Sequence, residues 1–329
     1  MFELEEEKLL RKLTKIGPKL ILVQLPEGLK KEGFTLAQLI EGRTNIDVAV
    51  SADPCYGGCD VAIDEASLLG AELVVHYGHT PFLSKTEIPV IYMRAKSRVN
   101  VAKIVRKSIP TLSPYSVIGL VATAQNAGKL KEVKRILEDA GKRVRIGKKS
   151  GLAKMDGQIL GCDYSTARSI VKSVDAFLFV GGGDFHPLGL AMRTRKKVVV
   201  ADPYRNRIID MESLARIALN QRWMAIEEAR KAKRFGIIIA LKPGQRKISD
   251  ANKIREKLKR SGRNSVLLAA REVIPESLLN FQDIEAFVIT ACPRIAIDDS
   301  QRFLKPVLNQ EEFSIMIGER PWEDYTEKW

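Results

Sequence analysis

The chain has 329 residues, of which 45% are hydrophobic and 29% charged, and a formal net charge of +14. That length and balance describe a globular protein of two or three domains. No apolar run approaches the roughly 18 residues of a membrane span. The acidic start, Met1-Phe2-Glu3-Leu4-Glu5-Glu6-Glu7, is wrong for a secretion signal, so the chain is placed in the cytoplasm. Thiols stay reduced there, and four cysteines in loops favour metal binding or catalysis over disulfides. The positive charge fits an anionic partner such as nucleic acid. Solvated faces such as Lys129–Arg145 and Lys253–Arg263 explain it equally well, and no basic–aromatic RNA-binding pattern is present.

In chain order, one unit recurs three times. The first copy has an apolar strand at Leu20–Val23, an amphipathic helix to about Glu41 and a second strand at Ile46–Val50. The second starts at Val117–Val121, with a helix over Leu130–Ala140 and a strand at Arg143–Ile146. The third starts at Phe235–Ala240, with a helix over Ile248–Arg260 and a strand at Ser265–Leu268. Each apolar run is short enough for a buried strand, and strand–helix–strand is the grammar of a parallel sheet. The spacing predicts an α/β protein of three similar βαβ-type domains, residues 1–110, 111–232 and 233–329, with parallel sheets around a pseudo-threefold central site. The third copy reads as trimmed after Cys292, and the tail Glu319–Trp329 as either loose or a docking segment.

A cysteine follows in each copy: Cys59 in Asp53-Pro54-Cys55-Tyr56-Gly57-Gly58-Cys59-Asp60, Cys162 in Gly161-Cys162-Asp163-Tyr164-Ser165, and Cys292 in Ala291-Cys292-Pro293-Arg294. If equivalent loops meet at a pseudo-threefold axis, the three thiols converge. Three thiolates without a fourth suit an iron–sulfur cluster with one open iron, or a catalytic zinc with an open position. Cys55 and Cys59 match the start of Cys-x-x-x-Cys-x-x-Cys, but the third position is Ala62, so a local cluster is not expected. Cys59 is preferred over Cys55 because it directly precedes a helix expected at Val61–Leu69, whose dipole would lower a thiol pKa. His79 and His186 occupy matching loops, Gly181-Gly182-Gly183 follows a buried strand, and Gln24, Gln125 and Gln245 follow the first strand of each copy. Arg294 offers a planar fork for a carboxylate.

Tyr56-Gly57-Gly58-Cys59-Asp60, Gly161–Ser165, Phe185-His186-Pro187-Leu188-Gly189-Leu190 and Ala291–Arg294 with Asp298-Asp299 resemble the archaeal diphthamide-synthesis enzymes that perform the first step of diphthamide formation. The resemblance runs over nearly the whole chain. It implies a homodimer, with Cys59, Cys162 and Cys292 holding a [4Fe–4S] cluster. It also implies noncanonical radical cleavage of S-adenosylmethionine at its Cγ–S bond, fed by an electron donor, with the 3-amino-3-carboxypropyl group transferred to C2 of a histidine in elongation factor 2. His79, Gln125, Gly182, His186 and Arg294 are carried over as contacts to S-adenosylmethionine. Two other readings stay open: a basic RNA- or ribosome-binding protein with structural cysteines, and a three-cysteine zinc hydrolase.

Overall fold

The computed structural model describes residues 2–327. Three sheets carry the chain, and each orders its strands by appearance as two, one, three, four. The first pairs Asp47–Val50, Leu20–Gln24, Leu73–Tyr77 and Val90–Met93, all parallel. The second runs Arg143–Arg145, Val117–Ala122, Ala176–Val180, Lys197–Asp202, and adds one antiparallel edge strand, Arg207–Asp210. The third orders Asn264–Ala270, Arg234–Ala240, Ala286–Ile289 and Val307–Leu308, again all parallel. Central strands such as Phe177–Val180 and Ile237–Ile239 are buried throughout. Buried parallel strands are expected to read as unbroken apolar runs.

Apolar residues pack both faces of each sheet. Leu9, Leu13, Leu36 and Ile40 cover one face of the first sheet, and Ala62, Ile63 and Ala66 cover the other. The second and third sheets share one core, where Phe177, Phe179 and Val200 join Phe235, Ile237 and Val288 through the long helix Glu212–Lys231. The helix Ala102–Ser108 falls within the expected first domain, 1–110. Val101 just before it, with its Ile104 and Val105, nevertheless packs with Leu120, Val133 and Leu137 of the second unit, so the core of that unit begins near residue 101.

One expectation is corrected and one open choice narrowed. The third unit is not trimmed: the helix Arg294–Asp298 and the strand Val307–Leu308 complete its fourth sheet position. The described part of the tail is docked. Trp322 lies against Trp223 and Tyr325, and Tyr325 is fully buried. Lys328 and Trp329 lie outside the described residues. Among the described residues no helix is long and apolar enough to cross a membrane.

Candidate metal centre

In open α/β sheets ligands bind beyond the carboxyl ends of the strands, and the three units meet there. Gln125 Nε2 of the second unit donates to Gly78 O of the first at 2.7 Å. Arg294 Nη2 of the third donates to Phe185 O of the second at 2.8 Å. The ring closes between third and first, where Gly244 N donates to Cys59 O at 2.8 Å and Lys242 Nζ lies 2.8 Å from Asp60 Oδ2. Lys242 also pairs with Glu272 at 2.7 Å and stands over the Tyr56 ring.

The three loop cysteines lie near enough in this ring to oppose one another's ionisation. The Cys162 thiol is pushed up to about 12, chiefly by burial and further by Cys292 and Cys59. Cys292 is raised to about 11 by burial, with Cys59 again opposing its ionisation. Burial also raises Cys59, so the expected lowering at a helix start is corrected: the helix begins only at Ile63, and desolvation wins. Gln245 links two of the loops, its Nε2 donating to Cys59 Sγ at 3.3 Å and its Oε1 accepting from Cys292 N at 3.2 Å. Cys162 exposes part of its residue while its thiol is desolvated, and it lines a cavity of about 360 Å³ together with Tyr164, Arg193, Arg294 and Glu311.

The loops are not all equivalent. Cys59 and Cys162 follow the second strands of their units, whereas Cys292 follows the third strand, Ala286–Ile289. Cys292 therefore sits in the position that the His76–His79 loop holds in the first unit. The thiols converge even so.

The other candidates divide. His79 and His186 are near enough for His79 to depress the His186 imidazole. Arg294 is 3% exposed, paired with Asp298 Oδ1 at 2.6 Å and laid over the Phe185 ring, while its Nε and Nη1 are buried with no partner. Gln125 is committed to Gly78 O. Gly182 faces Tyr204, where a Cβ would come within 2.9 Å of Cδ2. Cys55 is buried near enough to Cys59 for that thiol to oppose its ionisation, and its ligand atom is grouped with those of His76 and His79. Sequence reasoning missed Lys242 and Gly244, for which only the Pro243-Gly244 turn gave a signal, and His76, which hydrogen-bonds both Gln24 and His79.

Two predictions arise from this geometry. A Cβ at Gly244 would lie 2.6 Å from Cys59 Cα, so Gly244→Ala must push the third unit off the Cys59 loop. A loss of about 1–3 kcal/mol is expected, read as a lower urea midpoint together with reduced metal retention. A midpoint equal to wild type would contradict the close docking.

The second concerns acid. Burial holds His76 near 3, His79 near 4 and His186 near 3, all below the ordinary 6.5. Between those values the unfolded chain binds more protons than the folded one. Stability is therefore whole above about pH 6.5 and lost as pH falls towards 4, by up to roughly 1.4 kcal/mol per pH unit for each histidine. Urea midpoints should drop between pH 7 and pH 5, and a flat profile would rule out neutral, buried imidazoles.

Comparison with known proteins decides the family. The family model described as "Putative diphthamide synthesis protein" matches residues 25–327. The chain belongs to this family. A 2-(3-amino-3-carboxypropyl)histidine synthase of Pyrococcus horikoshii is 38% identical over 99% of this chain and 94% of its own length. Subunit 1 of the Schizosaccharomyces pombe enzyme of that name is 30% identical over 93% of this chain and 71% of its own. The crystal structure of Dph2 from Pyrococcus horikoshii with a 4Fe-4S cluster superposes with a TM-score of 0.90 at 36% identity, over 99% of this chain and 94% of that one.

The family's donor set can be tested on this chain. A single tetrahedral zinc with Zn–S near 2.3 Å draws its sulfurs to about 3.8 Å apart. Among the described residues, the group of three metal-type ligand atoms within 4.8 Å of one another is Cys55, His76 and His79; the three loop cysteines do not form such a group. A wider thiol ring fits a cluster better than one ion. All three thiols are protonated in this environment, so loading a metal there releases protons.

Proposed function

We propose that this chain, a 2-(3-amino-3-carboxypropyl)histidine synthase of diphthamide synthesis by family and relatives, modifies a histidine of elongation factor 2. The 3-amino-3-carboxypropyl group of S-adenosylmethionine is the group transferred, and imidazole C2 is the acceptor. Cys59, Cys162 and Cys292 would hold a [4Fe–4S] cluster, which when bound supplies one electron and an open iron for cleavage of the Cγ–S bond. The observation that carries this reading is the meeting of one thiol from each unit, with Gln245 tying Cys59 to Cys292.

The chain's own residues perform positioning and exclusion. The Gly244 and Lys242 contacts press the third unit onto the Cys59 loop and keep water from the buried side of the thiol ring. Holding the bond to be broken against the reacting centre replaces a bimolecular encounter with a fixed one. Arg294 Nε and Nη1, buried without a partner, suit the carboxylate of the transferred group. His79 and His186 supply neutral imidazoles at the same wall. Gln125 and Gly182 are the weaker of the expected contacts, since Gln125 is spent on Gly78 and Gly182 faces Tyr204. A homodimer, a cytoplasmic setting and a separate electron donor complete the proposal.

The test is to purify the protein without oxygen, record its visible spectrum with iron and sulfide content before and after dithionite, then add S-adenosylmethionine and elongation factor 2. A brown protein that bleaches, releases methylthioadenosine and adds the group to a histidine would establish the reading. A colourless protein after reconstitution, or one holding only zinc, would sink it.

A further inference from the structure

Gln24 is 2% exposed and held at both ends by the backbone of the Cys59 loop. Its Nε2 donates to Asp60 O at 2.7 Å and its Oε1 accepts from Ala62 N at 3.0 Å. One partner is a carbonyl and the other an N–H, so the amide has a single orientation. The same Oε1 lies 2.7 Å from His76 Nδ1. An amide oxygen only accepts, so His76 must carry its proton on Nδ1. Burial keeps that ring neutral, which leaves Nε2 bare. His76 Nε2 stands 3.0 Å from His79 Nδ1, so His79 must donate from Nδ1. The chain of necessity ends at His79 Nε2, a lone pair.

His79 itself stands beside the Cys59 loop. A Cβ on Gly58, next to Cys59, would come within 3.7 Å of His79 Cβ, and His186 is close enough to feel His79. His79 is partly exposed. Of the polar groups nearby, the Cys55 thiol is grouped with the two imidazoles, and Asp60 is taken by Lys242.

We propose that His79 Nε2 is a hydrogen-bond acceptor built into the chamber for a nitrogen-borne proton of the substrates, with Gln24 and His76 as positioning residues that fix its tautomer. The donor is the α-ammonium of S-adenosylmethionine or the N–H of the target imidazole. The naming of those substrates rests on the synthase reading; the tautomer does not. A neutral acceptor orients such a donor without adding negative charge beside three thiols.

The chain has three histidines, so long-range 1H–15N spectra of the histidine-labelled apoprotein show three rings, assigned with His79→Asn. His79 is expected to be protonated at Nδ1 and bare at Nε2. Gln24→Ala should release His76 and let a His79 Nε2–H form appear. Protonation at Nε2 in the wild type would overturn the proposal. His79→Asn keeps a donor towards His76 and deletes only the acceptor. With the reconstituted enzyme, an ammonium donor predicts about tenfold weaker S-adenosylmethionine binding in this variant, while an analogue lacking the amino group binds both proteins alike. An imidazole donor predicts unchanged S-adenosylmethionine binding and about a tenfold higher KM for elongation factor 2. Neither change would refute the acceptor role. Wild-type enzyme that releases no methylthioadenosine would defeat the synthase reading, and the substrates named with it, while the spectra would still decide the tautomer.

Discussion

Alanine in place of Cys59, Cys162 or Cys292 is expected to strip the chain of iron and sulfide while leaving it folded. Transfer activity should fall roughly 100-fold or more, past the 10–100-fold cost of losing a group that only supports a metal ligand. Each thiol comes from a different unit, and the remaining cysteine, Cys55, has its ligand atom grouped with those of His76 and His79. Cys55 is the internal control. It is 3% exposed, burial and Asp60 push its thiol up to about 12, and its ligand atom groups with His76 and His79 instead. Cys55→Ala should keep the full iron complement and full transfer activity. Iron and sulfide per chain, with mass spectrometry of elongation factor 2, measure both. Full iron in Cys162→Ala would break the three-thiol assignment, and loss of iron in Cys55→Ala would break the choice between Cys55 and Cys59.

The second large effect is on stability. Arg222 is 2% exposed, and its Nε and Nη2 each donate to the fully buried Glu312 carboxylate at 2.7 Å. Its Nη1 donates to Ala296 O at 2.7 Å and its Nη2 also to Val307 O. Tyr325 Oη adds a donor to Glu312 Oε1 at 2.8 Å. Arg222→Met would strand a carboxylate and two carbonyls in the core shared by the second and third sheets, and removing one partner of a buried pair costs about 3–5 kcal/mol. The urea midpoint should fall accordingly. Adding Glu312→Gln, which removes the lone charge and can keep the cap on Asn309, should recover a large part. Ala296 lies in the helix that follows Cys292, so iron should also leave the variant faster on warming. A loss under about 1 kcal/mol would show that this pair is not holding the core.

Much of the fold was legible because buried parallel strands announce themselves: Leu20–Val23, Ala176–Val180 and Phe235–Ala240 are short apolar runs with few other readings. The converging cysteines were legible because each sat in a Gly- or Pro-bearing loop at a strand end. The register of the third unit was not. A strand before Cys292 was readable from its loop, but only the longer interval from the first strand hinted that Ala286–Ile289 is the third strand of its unit and not the second. The Gln245–Cys59 and Lys242–Asp60 contacts join residues 186 and 182 apart, beyond any local pattern. Thiol acidity was misread for a related reason. A helix start is a local feature, but burial belongs to the assembled chamber, and burial is the larger influence on all three thiols.

The closure of the ring by the third unit sets an order of assembly. Domains fold broadly in the order they are synthesised, and the first two sheets need nothing beyond residue 210 for their strands. At that stage Cys59 and Cys162 exist, but Lys242, Gly244, Gln245 and Cys292 do not. Iron arriving early would meet two of the three ring thiols and no clamp on the Cys59 loop. On the proposed reading, cofactor loading is a closing event in the life of the chain, coupled to the docking of its third unit. Cells that make this protein faster than its third unit can dock would accumulate an iron-poor form with two sound sheets.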